Sequence, residues 1–421
     1  MQAPTIAVIG GGPGGLTMAR ILHVHGWVAT VFEAETLSSA RPQGWSLDMH
    51  PETGQYAIEQ AGLTAEFKRI ARYEDQETRV YDQHAQLRFS DTDGFSDTDG
   101  FSDTDGFSDT DGFSNMDGFK DADGFKDADA ARDAYKATGD RPEVDRGHLR
   151  QMLLDSLPEG AVRWDHKLSA PPEPQADGSF ELSFRNGVRE RFDLVIGADG
   201  AWSKVRSLLS DAAPIYSGVT CFEFGIEDVD AKYPAISALV GRGLMFALGE
   251  EKALIAHRDA NAHVGFYAGL KVPAGWVEEG GLDQSSPGTI RASMLAQFAG
   301  WSEDLLELLR CAEGEMTTRP IYWLPVGHRW AHRRGVTLLG DAAHLMSPFS
   351  GEGANLAMRD AADLALALVG GGDWDAAVRG FEEVMFERAA EAAAGAKEGI
   401  EGAFSADGLT HTVAQMEGHG E

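Results

Sequence analysis

The sequence predicts an α/β fold: a nucleotide-binding domain split along the chain, a second domain built on its own sheet, and a C-terminal helix. Three observations carry this. An apolar strand near the N-terminus runs into Gly10-x-Gly12-x-x-Gly15 and then a helical pattern. Two further apolar runs end in Gly197-Ala-Asp-Gly and Gly340-Asp341, far downstream of the first. Between and around them lie alternating segments of the strand type, and from about Trp374 to Phe404 the chain turns Ala- and Glu-rich. At 421 residues and 43% hydrophobic content, it is long enough to bury two cores.

Residues 5–26 read TIAVIGGGPGGLTMARILHVHG. The strand Ile6–Ile9 meets the glycines, and Leu16, Ala19 and Leu22 follow at helical spacing. Gly10 permits the tight turn, Gly12 lets backbone N–H groups approach a pyrophosphate, and Gly15 allows close packing of helix on strand. The helix N-terminus adds its partial positive charge. The next strand, Val28–Phe32, ends in Glu33, 23 residues after Gly10, where an acid can accept hydrogen bonds from ribose hydroxyls. This Rossmann-like unit binds an ADP moiety, and at this point NAD and FAD are both open.

The two later strand ends decide between them. In DLVIGADGAWSKVR (193–206), Leu194–Ile196 runs into Asp199-Gly200, with Ser203 and Arg206 at helical spacing. In VTLLGDAAHLMSPFSGEGAN (336–355), a strand ends at Gly340-Asp341 and a glycine-rich loop leads into a helix starting near Gly353, Ala354 and Asn355. A carboxylate at such a strand end suits the hydroxyls of a ribityl chain. A helix N-terminus suits the pyrimidine edge of a flavin, where negative charge collects on reduction. The three motifs together predict FAD.

With GWSLDMHPETGQYAIEQAGL (44–63), PEVDRGHLRQMLLDSL (142–157) and WDHKL (164–168), these segments resemble class A flavoprotein monooxygenases, the family of the aromatic hydroxylases, and within it the tetracycline destructases. The resemblance spans nearly the whole chain. It implies an FAD-binding domain over 1–70, 140–210 and 318–372, a substrate domain over 71–139 and 211–317, and a C-terminal helix within 373–421 that closes the substrate site. It also implies roles. Glu33 holds the adenosine ribose, and Arg146 contacts the phosphate or ribityl region. Asp48 lies by the flavin, Asp341 hydrogen-bonds the ribityl chain, and Arg41 meets NADPH. Pro348 and Gly351 border the space between flavin and substrate. NADPH would reduce FAD, and dioxygen would add at flavin C4a. The hydroperoxide would then hydroxylate a polycyclic aromatic or polyketide-type molecule, a tetracycline among the candidates. No catalytic side chain and no metal are expected, because the flavin carries the chemistry. His344 is expected to be structural.

The substrate domain is read from CFEFGIEDV, GLMFALG, KALIAHR and HVGFYAGLK, which alternate or run apolar as strands do. Phe222, Phe224, Met245, Phe246, Phe266 and Tyr267 are candidates to line an apolar pocket, Phe224 and Tyr267 foremost. Where the destructases grip the polar edge of tetracycline with a glutamine, an arginine and a histidine, this chain aligns Glu223, Gly243 (or Arg242) and Gly265. That departure leaves other polycycles as fitting as tetracycline. A different class also stands: a flavoprotein that binds and shields a reactive polycyclic intermediate without hydroxylating it. A membrane-associated epoxidase is disfavoured, since no stretch is apolar for long enough to span a bilayer.

The formal net charge of −31 argues against nucleic acid or an anionic membrane as partner. Cys221 and Cys311 stand far apart with no CxxC pair, which fits a reducing cytosol and excludes a disulfide framework or zinc site. A cytoplasmic monomer is expected. Residues 89–130 are a hexapeptide array, FSDTDG four times and then FSNMDG, FKDADG and FKDADA, with 13 Asp, two Lys and no Glu or Arg. It follows ETRVYDQHAQLRF, which reads as a hairpin, and is expected to be a solvated insertion. Asp-x-Asp-Gly is half of a calcium loop, but the terminal Glu of an EF-hand is absent.

Overall fold

The computed structural model describes residues 3–38, 46–73, 77–91, 141–280 and 286–418. Five parallel strands form the first sheet, in the spatial order Val336–Leu338, Leu194–Gly197, Ile6–Ile9, Ala29–Phe32 and Val162–Arg163. Ile9 lies opposite both Gly197 and Phe32, and Gly197 lies opposite Leu338. Because the strands are parallel and in this register, Gly10, Glu33, Ala198 and Leu339 all leave the sheet along one edge. Three motifs spread over more than 300 residues of sequence thereby meet at the carboxyl ends of neighbouring strands, where open α/β sheets bind ligands.

The apolar runs are needed because both faces of this sheet are covered. All four residues of Ile6–Ile9 are buried, and the helices Pro13–Val24 and Gly353–Val369 pack close together beside them. A Cβ on Gly14 would lie 2.8 Å from the carbonyl oxygen of Ala357. The core around Val8, Ile21, Phe32, Ile196, Leu338 and Met358 is continuous.

The second sheet has seven strands, ordered Glu313–Trp323, Ile215–Ile226, Val264–Lys271, Lys252–Arg258, Leu244–Gly249, Thr78–Asp82 and Leu87–Asp91. The hairpin expected from ETRVYDQHAQLRF is present as the last two, paired antiparallel. The edge strand Glu313–Trp323 runs across the boundary expected at 318, so residues up to Trp323 belong to this sheet. The rest of the array, from residue 92 to 130, lies outside the described residues. The C-terminal segment contains two helices, Trp374–Ala403 and Gly408–Gly418, where one was expected.

Alternation along these strands corrects one assignment. Phe224 pairs with Phe266 on the face covered by the helices Pro234–Val240, Pro287–Gln297 and Glu303–Cys311, and both rings are buried there, stacked at 5.0 Å. Phe224 is core and does not line a substrate pocket. Its neighbours Glu223 and Tyr267, also paired, point to the opposite face, because side chains alternate on a strand. Phe222, Met245 and Phe266 share the fate of Phe224, whereas Phe246 lies on the Tyr267 side.

A charged junction fastens the second sheet to a separate two-stranded ribbon, Ser46–Asp48 paired with Glu143–Asp145. Arg72 donates to Asp145 at 2.7 Å and to the Ser46 hydroxyl at 2.6 Å, and the Ser46 N–H donates to Asp259 at 3.0 Å. His257 sits between Glu143 (3.4 Å) and Asp259 (3.3 Å), and His263 lies 3.0 Å from Asp259. Burial alone would lower the pKa of His257, but its bonds to Asp259 and Glu143 prevail and push it up to about 10. Among the described residues, no helix is long and apolar enough to cross a membrane, and no cluster of His, Cys, Asp and Glu could hold a metal ion.

Candidate cofactor and substrate cleft

The glycine loop separates what the protein needs from what a ligand needs. Gly10 has φ +114°, and a Cβ there would lie 2.1 Å from the carbonyl oxygen of Ala198. A Cβ on Gly15 would lie 2.0 Å from the carbonyl oxygen of Gly10. Both contacts are with backbone, so neither position tolerates a side chain. Around Gly12 no protein atom lies within 4 Å of an added Cβ. The space beyond Gly12 is open, and the helix Pro13–Val24 starts there with no side-chain cap. Its first-turn N–H groups face that space and suit a diphosphate.

Glu33 stands at the rim. One carboxylate oxygen accepts from the Gly11 N–H at 2.7 Å and the other from the Glu35 N–H at 2.9 Å. A carboxylate has about four acceptor positions, so capacity remains for ribose hydroxyls. The arginine that binds this loop is Arg150, which the sequence reading did not single out. It is 4% exposed and donates to the Gly11 carbonyl at 3.2 Å, to the Ser38 carbonyl at 2.8 Å and to Glu35 at 3.3 Å. The signal for it was present: Arg150 lies four residues after Arg146, one helical turn on.

At the second strand end, Asp199 is committed to its own turn, accepting from the Ser203 hydroxyl at 2.5 Å and the Lys204 N–H at 2.8 Å. That turn leads to Arg206, buried, whose guanidinium donates to the carbonyls of Ala201 (2.6 Å) and Ala342 (3.1 Å). The second motif therefore braces the third. From beneath, Asp360 accepts from the Gly340 N–H at 3.1 Å, from His344 Nε2 at 2.6 Å and from Arg388 at 2.9 Å. His344 faces this buried carboxylate. Burial lowers its pKa, but the Asp360 charge prevails and raises it.

Asp341, held by these braces, has a side chain to which no hydrogen bond is made among the described residues. It is open to the cleft's water yet surrounded by protein, and burial raises its pKa against the opposing pull of His344, Arg146 and Arg206. Arg146 is placed likewise: exposed at its surface, but with enough protein around it that desolvation lowers its pKa. The titratable groups that influence it electrostatically are Tyr267, Asp341, Arg319 and Asp48. Arg146 thus stands in the cleft between the cofactor motifs and the second sheet, and Arg150 serves the glycine loop.

Asp48 and the 348–355 segment form the cleft's other wall. Asp48 lies 2.8 Å from His50 Nε2; burial raises its pKa, but that bond, the His50 charge and Arg141 prevail and hold it below the usual range. Gly351 has φ +70°, and a Cβ there would approach Asp48 to 3.4 Å. Pro348 opens a short turn, and the Phe349 ring meets Phe404 edge-on at 5.7 Å. The helix at Gly353 and Ala354 begins with no side-chain cap. The Asn355 side chain, fully buried, accepts from the His50 N–H at 3.1 Å and donates to the Asp48 carbonyl at 2.8 Å. It fastens the helix start to the Asp48 segment. Arg41 lies outside the described residues.

A carboxylate that no described residue hydrogen-bonds, two helix N-termini without side-chain caps and the space beyond Gly12 fit one elongated ligand with ribose hydroxyls, a diphosphate, a polyhydroxyl chain and a ring with an anionic edge. FAD has those parts in that order.

Comparison with known proteins agrees. A family model described as FAD binding domain matches residues 3–254 and 315–379. The monooxygenase asqM of Emericella nidulans is 31% identical over 409 residues, covering 86% of this chain and 82% of that protein. Among solved structures, Klebsiella pneumoniae HpxO complexed with FAD and uric acid superposes with a TM-score of 0.74 at 22% identity, over 98% of this chain and 92% of that one. The tetracycline destructase Tet(55) gives 0.68 at 20% identity, over 99% and 94%.

Proposed function

This chain belongs to the FAD-binding-domain family of class A flavin monooxygenases, and we propose that it is an NADPH-reduced hydroxylase of a polycyclic aromatic or polyketide-type small molecule. The observation that carries the proposal is the cleft itself, where Arg146 lies within electrostatic reach of Asp341 and Asp48 on the cofactor side and of Tyr267 on the sheet. A ligand on the Tyr267 face would thereby lie next to the flavin ring.

When bound, FAD supplies hydride acceptance and the activation of dioxygen. The chain's own residues bind and enclose. Glu33 and the N–H groups after Gly12 take the adenosine ribose and diphosphate, and Asp341 takes the ribityl hydroxyls. The helix start at Gly353, Ala354 and Asn355 faces the ring's anionic edge. Pro348, Gly351 and Tyr267 border the substrate, and Arg41 meets NADPH. The helix ending at Ala403 brings Phe404 against Gly269 on the sheet, where a Cβ would lie 2.6 Å from its ring. This apolar cover keeps water from the reacting centre. A tetracycline is one candidate substrate, although Glu223 stands where the destructases carry glutamine. The proposal includes a cytoplasmic location and a monomeric state.

The test is reduction and turnover. Anaerobic NADPH should bleach the absorbance of the bound flavin, and with air a panel of phenolic polyketides and a tetracycline should yield a product carrying added oxygen. A flavin that stays oxidised would refute the NADPH assignment. A ligand that binds tightly and leaves unchanged would favour the shielding role instead.

A further inference from the structure

Resting on the assignment of Asp341 to the cofactor, we propose that Arg388, on the C-terminal helix Trp374–Ala403, is a positioning residue for FAD. Acting through Asp360, it sets the turn from which Asp341 leaves towards the cleft. The need for such a hold starts with Gly340. Its backbone stands at φ +57° and ψ −143°, a conformation that a side chain disfavours, and glycine has many others open to it. Gly340 is held from both sides. Its carbonyl accepts from the N–H groups of Ala343 and His344 at 2.8 and 2.9 Å, and its own N–H donates to Asp360 at 3.1 Å. With both groups fixed, the direction in which Asp341 follows is fixed as well.

Asp360 divides its two oxygens. Oδ2 takes the Gly340 N–H and His344 Nε2, whereas Oδ1 takes only Arg388 among the described residues, at 2.9 Å. Arg388 thereby locks the rotation of a carboxylate that is 1% exposed. Burial alone would raise the pKa of Asp360, but the charge and hydrogen bond of His344 and the charge of Arg388 prevail and hold it below the usual range. Without Arg388, Oδ1 would be a buried acceptor with no donor, which favours a turned or protonated carboxyl. Either change weakens the hold on the Gly340 N–H. The second bond of Arg388, to Asp363 at 2.8 Å, supplies a control, because Asp363 makes no hydrogen bond to Gly340 or His344. If Arg388 served only to fasten the two helices, loss of either residue would act alike. The C-terminal helix is also anchored elsewhere. Buried Glu382 accepts from Trp330 at 3.0 Å and Thr337 at 2.8 Å, and the Ser347 hydroxyl donates to the Ala396 carbonyl at 2.6 Å. Removing Arg388 therefore leaves the helix in place.

The test is titration of FAD into the full-length apoproteins, followed by flavin fluorescence, with urea unfolding of the same FAD-free samples. R388Q should bind FAD about fivefold or more weaker than wild type. R388K keeps a cation beside Asp360 and should recover part of that loss, while D363A should stay within about twofold of wild type. In a D341A background, R388Q should weaken FAD by no more than about a further twofold, because the side chain it positions is gone. Equal affinity in R388Q and wild type, equal losses in R388Q and D363A, or a fully additive loss in the double variant would each overturn the proposal. Unfolding midpoints show that each variant is folded; should R388Q not fold, R388K, which loses the two-pronged bond, is read in the same cycle. Wild-type FAD affinity in D341A alone would refute the reading of Asp341, whereas a weakened D341A beside an unaffected R388Q would refute this inference only.

Discussion

Replacing Asp341 by Ala should separate cofactor binding from folding, with Asp363→Ala as the opposite case. The Asp341 side chain receives no hydrogen bond within the described residues, and burial raises its pKa. A carboxylate whose folded pKa is raised disfavours folding once the pH exceeds the unfolded value, so at neutral pH D341A should leave the FAD-free protein at least as stable as wild type. Against FAD it should lose one charge-assisted hydrogen bond, about 1.5–3 kcal/mol, or roughly ten- to hundredfold in Kd. Asp363 accepts from Arg359 and from Arg388, both at 2.8 Å, well inside the helix Gly353–Val369 and away from its start. Its removal should lower stability by about 1 kcal/mol, since the pair is partly exposed, with FAD affinity within about twofold of wild type. Titration of FAD into the apoproteins, followed by flavin fluorescence, and urea unfolding of the same samples measure both quantities. If D341A retains FAD as wild type does, or if D363A loses it equally, the assignment of Asp341 to the ribityl chain is wrong.

Two further outcomes are expected. Gly12→Ala should fold normally, because no protein atom lies within 4 Å of the added Cβ, yet bind FAD weakly because the methyl occupies the diphosphate's approach; unfolding midpoint and FAD titration together check this, and full FAD affinity would remove Gly12 from the site. At the junction between the second sheet and the ribbon, His257 has a raised pKa, so its stabilising charge is fully present below about pH 6.5 and is lost as the pH climbs through about 10. Asp259, whose pKa is lowered by His257 and His263 against the effect of burial, loses its share only in strong acid. Thermal unfolding of wild type should therefore weaken between those alkaline limits, by no more than about 1.4 kcal/mol per pH unit, and His257→Gln should flatten that slope; an unchanged slope would show that the junction does not depend on a protonated His257.

What could be read from the sequence divides along physical lines. Gly10 and Gly15 were legible because backbone geometry leaves no room for a side chain, and such demands are local. The positions of Glu33 and Asp341 on one edge of the sheet were legible because a strand end fixes where the chain leaves it. Phe224 was misread because a run such as CFEFG names two faces without saying which one meets the core; only pairing with Phe266 and the covering helices decide it. Arg150 was passed over because its partners, Gly11, Glu35 and Ser38, lie more than 100 residues earlier. The Asp360–Arg388 pair shares that non-local origin, 28 residues apart in the chain and joined across two helices. Asn355 was expected at the cofactor, and its side chain proves to be spent on the Asp48 segment, an accounting that only the folded backbone reveals.

The central claim is that this cleft inserts an oxygen atom from dioxygen into an aromatic molecule, and isotope labelling tests it most directly. FAD-loaded protein, NADPH and a panel of phenolic polyketides and a tetracycline would be incubated under oxygen-18 gas in ordinary water, and products analysed by mass spectrometry. The account predicts a product carrying one oxygen-18 atom, formed in step with NADPH consumption. Consumption of NADPH with only labelled peroxide formed and every compound of the panel recovered unchanged, or a product whose new oxygen comes from water, would contradict it.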